Sequence, residues 1–114
     1  MLIVDDEELL LEALAFAFEE EGLKTHTAQS VEDALKILNL FEIDAILSDF
    51  KMPKRNGIEL LKEIQTQRKS IPFTFMSGFA EITDAEAKSL GAKGLIPKPL
   101  DLKNISQLIT HIGF

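Results

Sequence analysis

Short apolar runs alternate along the chain with longer segments in which apolar residues recur every three or four positions. This switch between two periods predicts alternating strands and helices, as in a parallel sheet with helical crossovers. Strands are predicted at residues 2–4, 23–28, 43–48, 71–76 and 94–96. Helices are predicted at residues 7–21 and 83–90, and directly after Ser30, Gly57 and Asp101. The fold class that follows is α/β, built from five strand–helix units.

The polar residues that could carry chemistry stand just beyond the predicted strands. Right-handed crossovers would lay the units into a doubly wound parallel sheet, in which ligands bind outside the carboxyl ends of the strands. With the strand order 2-1-3-4-5, the first and third strands are neighbours at the topological switch point. One edge of the sheet would then hold Asp5, Asp6, Asp49, Ser77 and Lys98. Three carboxylates should therefore converge in one crevice.

Convergent carboxylates of this kind indicate a divalent cation and phosphate chemistry. Like charges held close together raise one another's pKa unless a cation neutralises them, and ligands that are all oxygen favour a hard ion such as Mg²⁺. A lysine ammonium and a serine hydroxyl can hold the oxygens of a phosphoryl group. Lys98 and Ser77 offer these groups, and the carboxylate of Asp49 is the natural acceptor.

Each of these residues also has an ordinary structural explanation. The run from Asp5 to Glu8 could be an acidic first turn favoured by the helix dipole. Asp49 could be a loop aspartate, and Lys98 could belong to a rigid turn between two prolines. Only the convergence of these residues at one edge favours the functional interpretation.

Size and charge narrow the possible classes of protein. The 114 residues suffice for one hydrophobic core, so a single domain spanning residues 1–114 is expected. A net charge of −7 repels a phosphate backbone, so direct nucleic-acid binding is not expected. Cysteine is absent, and neither an apolar stretch of membrane-spanning length nor a secretory signal pattern occurs. A cytoplasmic protein without membrane contact is expected.

Four segments of the chain resemble the CheY-like response regulator receiver family of two-component signalling. They are LIVDDEE at residues 2–8, SDFKMPKRNG at 48–57, MSGFA at 76–80 and PKP at 97–99. Each motif is weak alone, but the four occur in the family's order and fall at the ends of the predicted strands. The resemblance implies a flavodoxin-like fold with five helices. It also implies a signalling domain whose only catalysis is its own phosphorylation and dephosphorylation.

The resemblance further assigns roles to individual residues. Asp49 would accept a phosphoryl group from a histidine kinase or a histidine phosphotransfer protein, and would switch binding to a downstream protein or output domain. Asp6, Asp49 and the Lys51 carbonyl would hold Mg²⁺, with Asp5 acting mainly through water. The remaining implied roles are a switch hydroxyl at Ser77, phosphoryl contact by Lys98, a cis Lys98–Pro99 peptide bond and a turn at Gly57.

The chain departs from the family pattern in its fifth predicted strand. The family usually carries an aromatic residue three positions before the lysine of the lysine–proline pair, and here that position is Leu95. An aromatic side-chain switch cannot operate there. We therefore expect Ser77 and the loop that follows it, as far as Ile82, to carry the activation signal.

The first predicted helix has more apolar residues than one core-facing stripe requires. At about 100° per residue, Leu9 and Phe16 fall outside the face that carries Leu11, Leu14 and Phe18. Leu9 and Phe16 are therefore candidates for contact with a partner or for self-association. Burial under a neighbouring helix is the alternative.

Three further interpretations of function remain open. The sequence could be the receiver of a longer transcription factor or hybrid histidine kinase. It could be a pseudo-receiver that binds partners without phosphorylation, although Asp5, Asp6, Asp49, Ser77 and Lys98 argue against this. A small phosphatase using an aspartyl phosphate would need a substrate-binding cap and a second general acid near Asp49, and neither is evident in the sequence.

Overall fold

The computed structural model describes residues 1–67, 70–78 and 81–114, and strands and helices alternate along them. The strands are β1 Leu2–Val4, β2 His26–Ala28, β3 Ile46–Asp49, β4 Phe73–Ser77 and β5 Gly94–Pro97. The helices are α1 Glu8–Glu20, α2 Val31–Leu40, α3 Gly57–Thr66, α4 Asp84–Ser89 and α5 Ile105–Ile112. The predicted α/β fold class, with five helices, is confirmed.

The strands form one parallel sheet in the order β2-β1-β3-β4-β5, which confirms the predicted topology. In this order β1 and β3 are neighbours at the switch point, and the carboxyl ends of all five strands share one edge. Asp49 pairs in register with Met76, and Ser77 pairs with Pro97. The polar residues at the ends of β1, β3, β4 and β5 therefore lie around one crevice.

Helices cover both faces of the sheet. Leu2 and Val4 of β1 pack with buried residues of α2, α3 and α4 in one core cluster. Ile3, between them in sequence, faces the opposite side and packs with buried residues of α1 and α5. Every residue of the inner strands β1, β3 and β4 is buried, because helices cover both faces, so most of these residues are apolar and they show no regular alternation of polar and apolar types.

The predicted start of β2 is wrong by three residues. The strand begins at His26 and not at residue 23. The N–H of Leu23 still donates to the Phe18 carbonyl at 3.1 Å and so closes the end of α1. Gly22 allows this turn because its φ is +87°, a conformation that costs glycine little.

The predicted bounds of β3 and β4 are also shifted toward the amino terminus. β3 begins at Ile46, because the hydrophobicity of Ile43 and Ala45 reflects burial in the core. β4 begins at Phe73, after a proline that has no N–H to donate to the ladder. At their other ends, Asp49 and Ser77 are the last residues of β3 and β4, so the strands themselves fix their backbones.

The last helix starts later than predicted. Asp101 accepts a hydrogen bond from the Lys103 N–H at 3.1 Å, but the segment that it caps is a short 3₁₀ turn, Leu102–Asn104. The α-helix begins at Ile105. Within the described part of the chain, no helix combines the length and apolar character that crossing a membrane requires.

Candidate functional site

Three carboxylates meet at the carboxyl edge of the sheet. Asp5 and Asp6 directly follow β1, and Asp49 ends β3. Each of them offers a carboxylate oxygen, and these oxygens lie within 4.8 Å of one another. Asp5 and Asp49 are buried, whereas Asp6 is exposed to solvent. The crevice predicted from the strand ends is therefore present, and it opens to solvent on the side of Asp6.

Lys98, immediately after β5, places its ammonium group between the two buried carboxylates. Its Nζ donates to Asp5 Oδ2 at 2.8 Å and lies 3.2 Å from Asp49 Oδ2. Its backbone N–H donates to the Ser77 carbonyl at 2.8 Å, which ties the ends of β4 and β5 together. The peptide bond between Lys98 and Pro99 is cis. One cation thus bridges three strand ends.

The lysine does not fully neutralise the site. Burial, followed by the charge of Asp5, raises the pKa of Asp49 above its usual value, and Lys98 offsets these effects only in part. For Lys98 itself, burial acts to lower the pKa, but the hydrogen bond and charge of Asp5, followed by those of Asp49, outweigh it and raise the pKa. Uncompensated negative charge therefore remains at the crevice.

The donor set fits a hard divalent cation. The three carboxylates supply only oxygen atoms, which Mg²⁺ and Ca²⁺ prefer over nitrogen or sulfur. Their spacing allows one ion to contact more than one of them, and a cation would compensate the charge that Lys98 leaves. The Lys51 side chain is exposed, and its backbone lies close enough to the Asp49 carboxylate to act against the rise in the pKa of that group, so this residue borders the same crevice.

Gly57 lies where the connection between β3 and α3 passes over the end of β3. Its N–H donates to the Phe50 carbonyl at 2.9 Å. A Cβ atom at this position would lie 2.5 Å from the Asp49 carbonyl oxygen and 3.0 Å from the Phe75 ring. The close approach of two backbone segments therefore requires glycine here, and it fixes the backbone of Asp49.

The same connection is held from outside by Arg55. Its guanidinium group forms ion pairs with Glu32 of α2 at 3.1 Å, and with Glu59 and Glu63 of α3 at 3.2 and 3.3 Å. These hydrogen bonds raise the pKa of Arg55, those to Glu32 and Glu59 most. This cluster was not predicted from the sequence, since the contact to Glu32 joins residues that are far apart in the chain.

Ser77 is buried, and its hydroxyl has a partner that was not predicted from the sequence. Ser77 Oγ lies 3.1 Å from Glu81 Oε1 and 3.0 Å from the Gly78 carbonyl oxygen. The Gly78 N–H donates to the same Glu81 oxygen at 2.7 Å. The only signal in the sequence was a carboxylate four positions after the serine. Phe79 and Ala80, which complete the MSGFA segment, lie outside the described residues.

Leu95 is half-buried in β5 and packs against the core cluster beneath α2, α3 and α4. Its backbone N–H donates to Asp84 Oδ1 at the start of α4, at 3.0 Å. The position that carries an aromatic residue in the family pattern is thus filled by an aliphatic side chain, on a strand that Asp84 ties to α4.

Leu9 and Phe16 project from α1 into solvent. Their exposed fractions are 81% and 67%, whereas Leu11, Leu14 and Phe18 on the same helix are buried. No neighbouring helix among the described residues covers them, which disagrees with the alternative of burial. Contact of this face of α1 with a partner stays a prediction.

Comparisons with known proteins agree with this geometry. The family model described as "Response regulator receiver domain" matches residues 1–110. The chain is 34% identical over 110 residues to Regulatory protein AtoC of Escherichia coli, covering 96% of this chain and 24% of that protein. It is 35% identical over 117 residues to Sensor kinase CckA of Brucella abortus, covering 98% of this chain and 12% of that protein. The chain therefore spans a quarter or less of the length of these two relatives.

A solved structure gives the same result for the fold. The receiver domain of NtrX from Brucella abortus superposes with a TM-score of 0.87 at 28% identity, over 97% of this chain and 95% of that one. The family match covers nearly the whole chain, and the acidic cluster lies at the edge where receivers carry their phosphorylation site. The chain belongs to the response regulator receiver domain family.

Proposed function

We propose that residues 1–114 form a receiver that accepts a phosphoryl group on Asp49, with Mg²⁺ bound beside it, and thereby switches the binding of a protein partner. The observation that carries this proposal is the contact between the buried Asp49 carboxylate and the Lys98 ammonium, within a cluster of three carboxylates. A buried acceptor beside one cation, with further negative charge around it, suits phosphoryl transfer that depends on positioning and charge neutralisation.

The phosphoryl donor would be the phosphohistidine of a histidine kinase or of a histidine phosphotransfer protein. A carboxylate oxygen of Asp49 would attack phosphorus, and the phosphorus–nitrogen bond would break with its electron pair left on the imidazole. Lys98 would contact the transferred oxygens, and the Ser77 hydroxyl would donate to one of them. The domain would act on no separate substrate beyond its own phosphorylation and dephosphorylation.

The proposed metal ligands are Asp6, Asp49 and the Lys51 carbonyl, with Asp5 acting through water. Both oxygens of Asp5 already accept hydrogen bonds, from the Lys98 ammonium and from the Glu7 N–H, which supports an indirect role for it. When bound, Mg²⁺ would neutralise the oxygens of the incoming phosphoryl group. Asp6, the exposed member of the cluster, lies where the ion would enter.

The receiver could equally act within a longer protein. Two of the similar proteins are named a regulatory protein and a sensor kinase, and the chain covers only a part of each. In that case its partner would be an output or kinase domain of the same polypeptide. A pseudo-receiver that is never phosphorylated is disfavoured by the complete set of Asp5, Asp6, Asp49, Ser77 and Lys98 at one edge.

Mass spectrometry after incubation with acetyl phosphate and Mg²⁺ tests the proposed function. The protein should gain the mass of one phosphoryl group, and Asp49→Asn should gain none. Excess chelator should suppress the gain, because the carboxylates would then oppose the incoming dianion without a compensating cation. Labelling that persists undiminished in Asp49→Asn would contradict the acceptor assignment, and full labelling in chelator would contradict the role of the metal.

Ser77→Ala is expected to separate phosphorylation from the response to it. The variant should still be labelled at Asp49, because the hydroxyl is not the acceptor. Amide chemical-shift changes at Gly78 and residues 81–90 on binding beryllofluoride should shrink sharply without the hydroxyl. Leu95→Ala, the control, should retain most of them. An undiminished response in Ser77→Ala, or changes centred on Leu95, would refute this account of the switch.

Phe16→Ser is expected to weaken binding of the phosphoryl donor protein while leaving the fold intact. Because the side chain is 67% exposed, its loss should change the free energy of unfolding by no more than about 0.5 kcal/mol. Phe18→Ser, two residues away and fully buried, should cost about 3–5 kcal/mol. Thermal melting checks stability, and the rate of transfer from the cognate phosphohistidine protein checks docking. An unchanged rate of phosphoryl transfer to Phe16→Ser would show that this surface does not dock the donor protein.

A further inference from the structure

Glu81 holds two hydrogen-bond donors that converge on one of its carboxylate oxygens. Oε1 accepts the Gly78 N–H at 2.7 Å and lies 3.1 Å from Ser77 Oγ. Ser77 is 1% exposed, so its hydroxyl has few alternatives in solvent, and the other acceptor within its reach is the neutral Gly78 carbonyl oxygen at 3.0 Å, to which an anion is the stronger rival. A backbone N–H and a hydroxyl that converge on one anionic oxygen form a small binding site for an anion, occupied here by a side chain of the same chain.

The Ser77 hydroxyl cannot serve two anions at once, because it has a single proton to donate. In the proposed function this proton goes to an oxygen of the phosphoryl group on Asp49. Asp49 and Ser77 end the neighbouring strands β3 and β4, so both anions would draw on the same hydroxyl. The carboxylate and the phosphoryl group would also repel each other as like charges.

We infer that Glu81 is an internal competitor of the phosphoryl group, which holds Ser77 and Gly78 in the unphosphorylated arrangement until phosphorylation displaces it. This inference rests on the proposed function and adds to it the residue that opposes the switch. Displacement of Glu81 would release the segment leading into α4, and the strength of the two hydrogen bonds would set how readily the receiver responds.

Capping of α4 does not account for the position of Glu81. That helix has its own capping box, in which Thr83 accepts the Glu86 N–H and Glu86 accepts the Thr83 N–H, each at 3.1 Å. Glu81 lies two residues before this cap and turns back toward β4. Gly78 permits the approach, since a Cβ atom there would lie 3.3 Å from Glu81 Oε1.

Glu81→Ala tests the inference through the binding of beryllofluoride, which mimics a phosphoryl group on a carboxylate. The full chain is titrated with beryllofluoride at fixed Mg²⁺, and the Gly78 amide resonance is followed by NMR. Removing one charge-assisted acceptor and one repulsive charge should tighten binding about tenfold. Glu81→Gln keeps an acceptor but loses the charge, so its affinity for beryllofluoride should lie between those of Glu81→Ala and the parent.

Glu86→Gln provides the matched control. It removes the same charge nearby, and glutamine can replace glutamate in a capping box. It should bind beryllofluoride as the parent does. When Ser77 is already alanine, Glu81→Ala should tighten the binding of beryllofluoride by less than it does in the parent, because the hydroxyl is one of the two donors for which the anions compete. Without beryllofluoride, the Gly78 amide proton should move upfield in Glu81→Ala as it loses its carboxylate acceptor.

The outcomes separate this inference from the proposed function. If the parent binds beryllofluoride and Glu81→Ala binds it no more tightly, the competitor role is wrong and the receiver function stands. If Glu86→Gln gains as much affinity for beryllofluoride as Glu81→Ala does, the effect comes from the lower negative charge in general, and the inference also fails. If the parent neither binds beryllofluoride nor is labelled by acetyl phosphate, both proposals are wrong.

Discussion

Replacing Lys98 by methionine is expected to lower the free energy of unfolding by about 3 kcal/mol at neutral pH in the absence of a divalent metal. The Lys98 ammonium is the cation that contacts both Asp5 and Asp49, at 2.8 and 3.2 Å. Without it two buried carboxylates face each other, and an uncompensated buried charge costs more than an ion pair contributes. Methionine keeps much of the length of the side chain, so the loss should reflect charge more than packing.

The loss should depend on pH with a definite sign. The pKa of Asp49 in the folded protein already lies above its ordinary value, and removing Lys98 should raise it further. The folded state then binds more protons than the unfolded state, so stability falls as the pH rises through the interval between the two pKa values. The difference from the parent should be small near pH 4 and should reach its full size once the pH exceeds the folded pKa.

Chemical denaturation followed by far-ultraviolet circular dichroism measures this effect, since the chain has no tryptophan or tyrosine to report by fluorescence. Lys88→Met is the control, because Lys88 forms an exposed ion pair with Asp84 and should change stability by no more than about 0.5 kcal/mol. Added Mg²⁺ should recover part of the loss in Lys98→Met. A loss in the free energy of unfolding of Lys98→Met that does not vary with pH, or that is as small as the loss in Lys88→Met, would contradict the proposed role of the Lys98 charge.

Gly57→Ala is expected to cost about 2–3 kcal/mol and to slow phosphorylation of Asp49. The added Cβ atom would meet the Asp49 carbonyl oxygen at 2.5 Å, and backbone atoms cannot move aside as the end of a long side chain can. The melting temperature should fall by roughly 10–15 °C for a domain of this size. Labelling by acetyl phosphate should slow because the displaced backbone belongs to the acceptor itself.

Gly22→Ala separates a steric effect from a conformational one. Gly22 has a φ of +87° and open space around its Cβ position. Alanine there should lower the free energy of unfolding by about 1 kcal/mol through backbone strain, and it should leave the rate of labelling by acetyl phosphate unchanged. If Gly57→Ala were no worse than Gly22→Ala in stability, or if it were labelled at the parental rate, the close packing of the two backbone segments would not matter to the site.

The topology and the crevice could be predicted because they depend on patterns that are visible in the order of residues along the chain. Alternation of strands and helices limits the sheet to few arrangements, and Asp5, Asp49 and Lys98 each stand at the end of a strand. The bounds of β3 were harder to predict, because Ile43 is apolar on account of burial and not of strand pairing. Burial in the core and pairing in a buried strand both favour apolar residues, so the sequence alone does not distinguish them.

The contacts of Glu81, and the contact of Arg55 with Glu32, could not be predicted from the sequence. Both depend on the direction in which a long, flexible side chain extends, and this is decided by the hydrogen-bond partners that the fold brings close: donors for Glu81 and carboxylate acceptors for Arg55. Glu81 finds the Gly78 N–H only because β4 ends where it does, and Arg55 finds Glu32 only because α2 and α3 are neighbours. Such partners follow from the fold and could be found only once the fold was known.

The hydrogen bond from the Leu95 N–H to Asp84 also affects the outer edge of the sheet. Among the described strands β5 lies at an edge of the sheet and is paired only with β4, and an unpaired N–H on such a strand invites another strand to add. Asp84 accepts this N–H at 3.0 Å, and its hydrogen bond to Lys88, followed by that from Leu95, lowers the pKa of Asp84 and keeps it ionised. A strand from another molecule would have to displace a carboxylate from this edge before gaining its first hydrogen bond there.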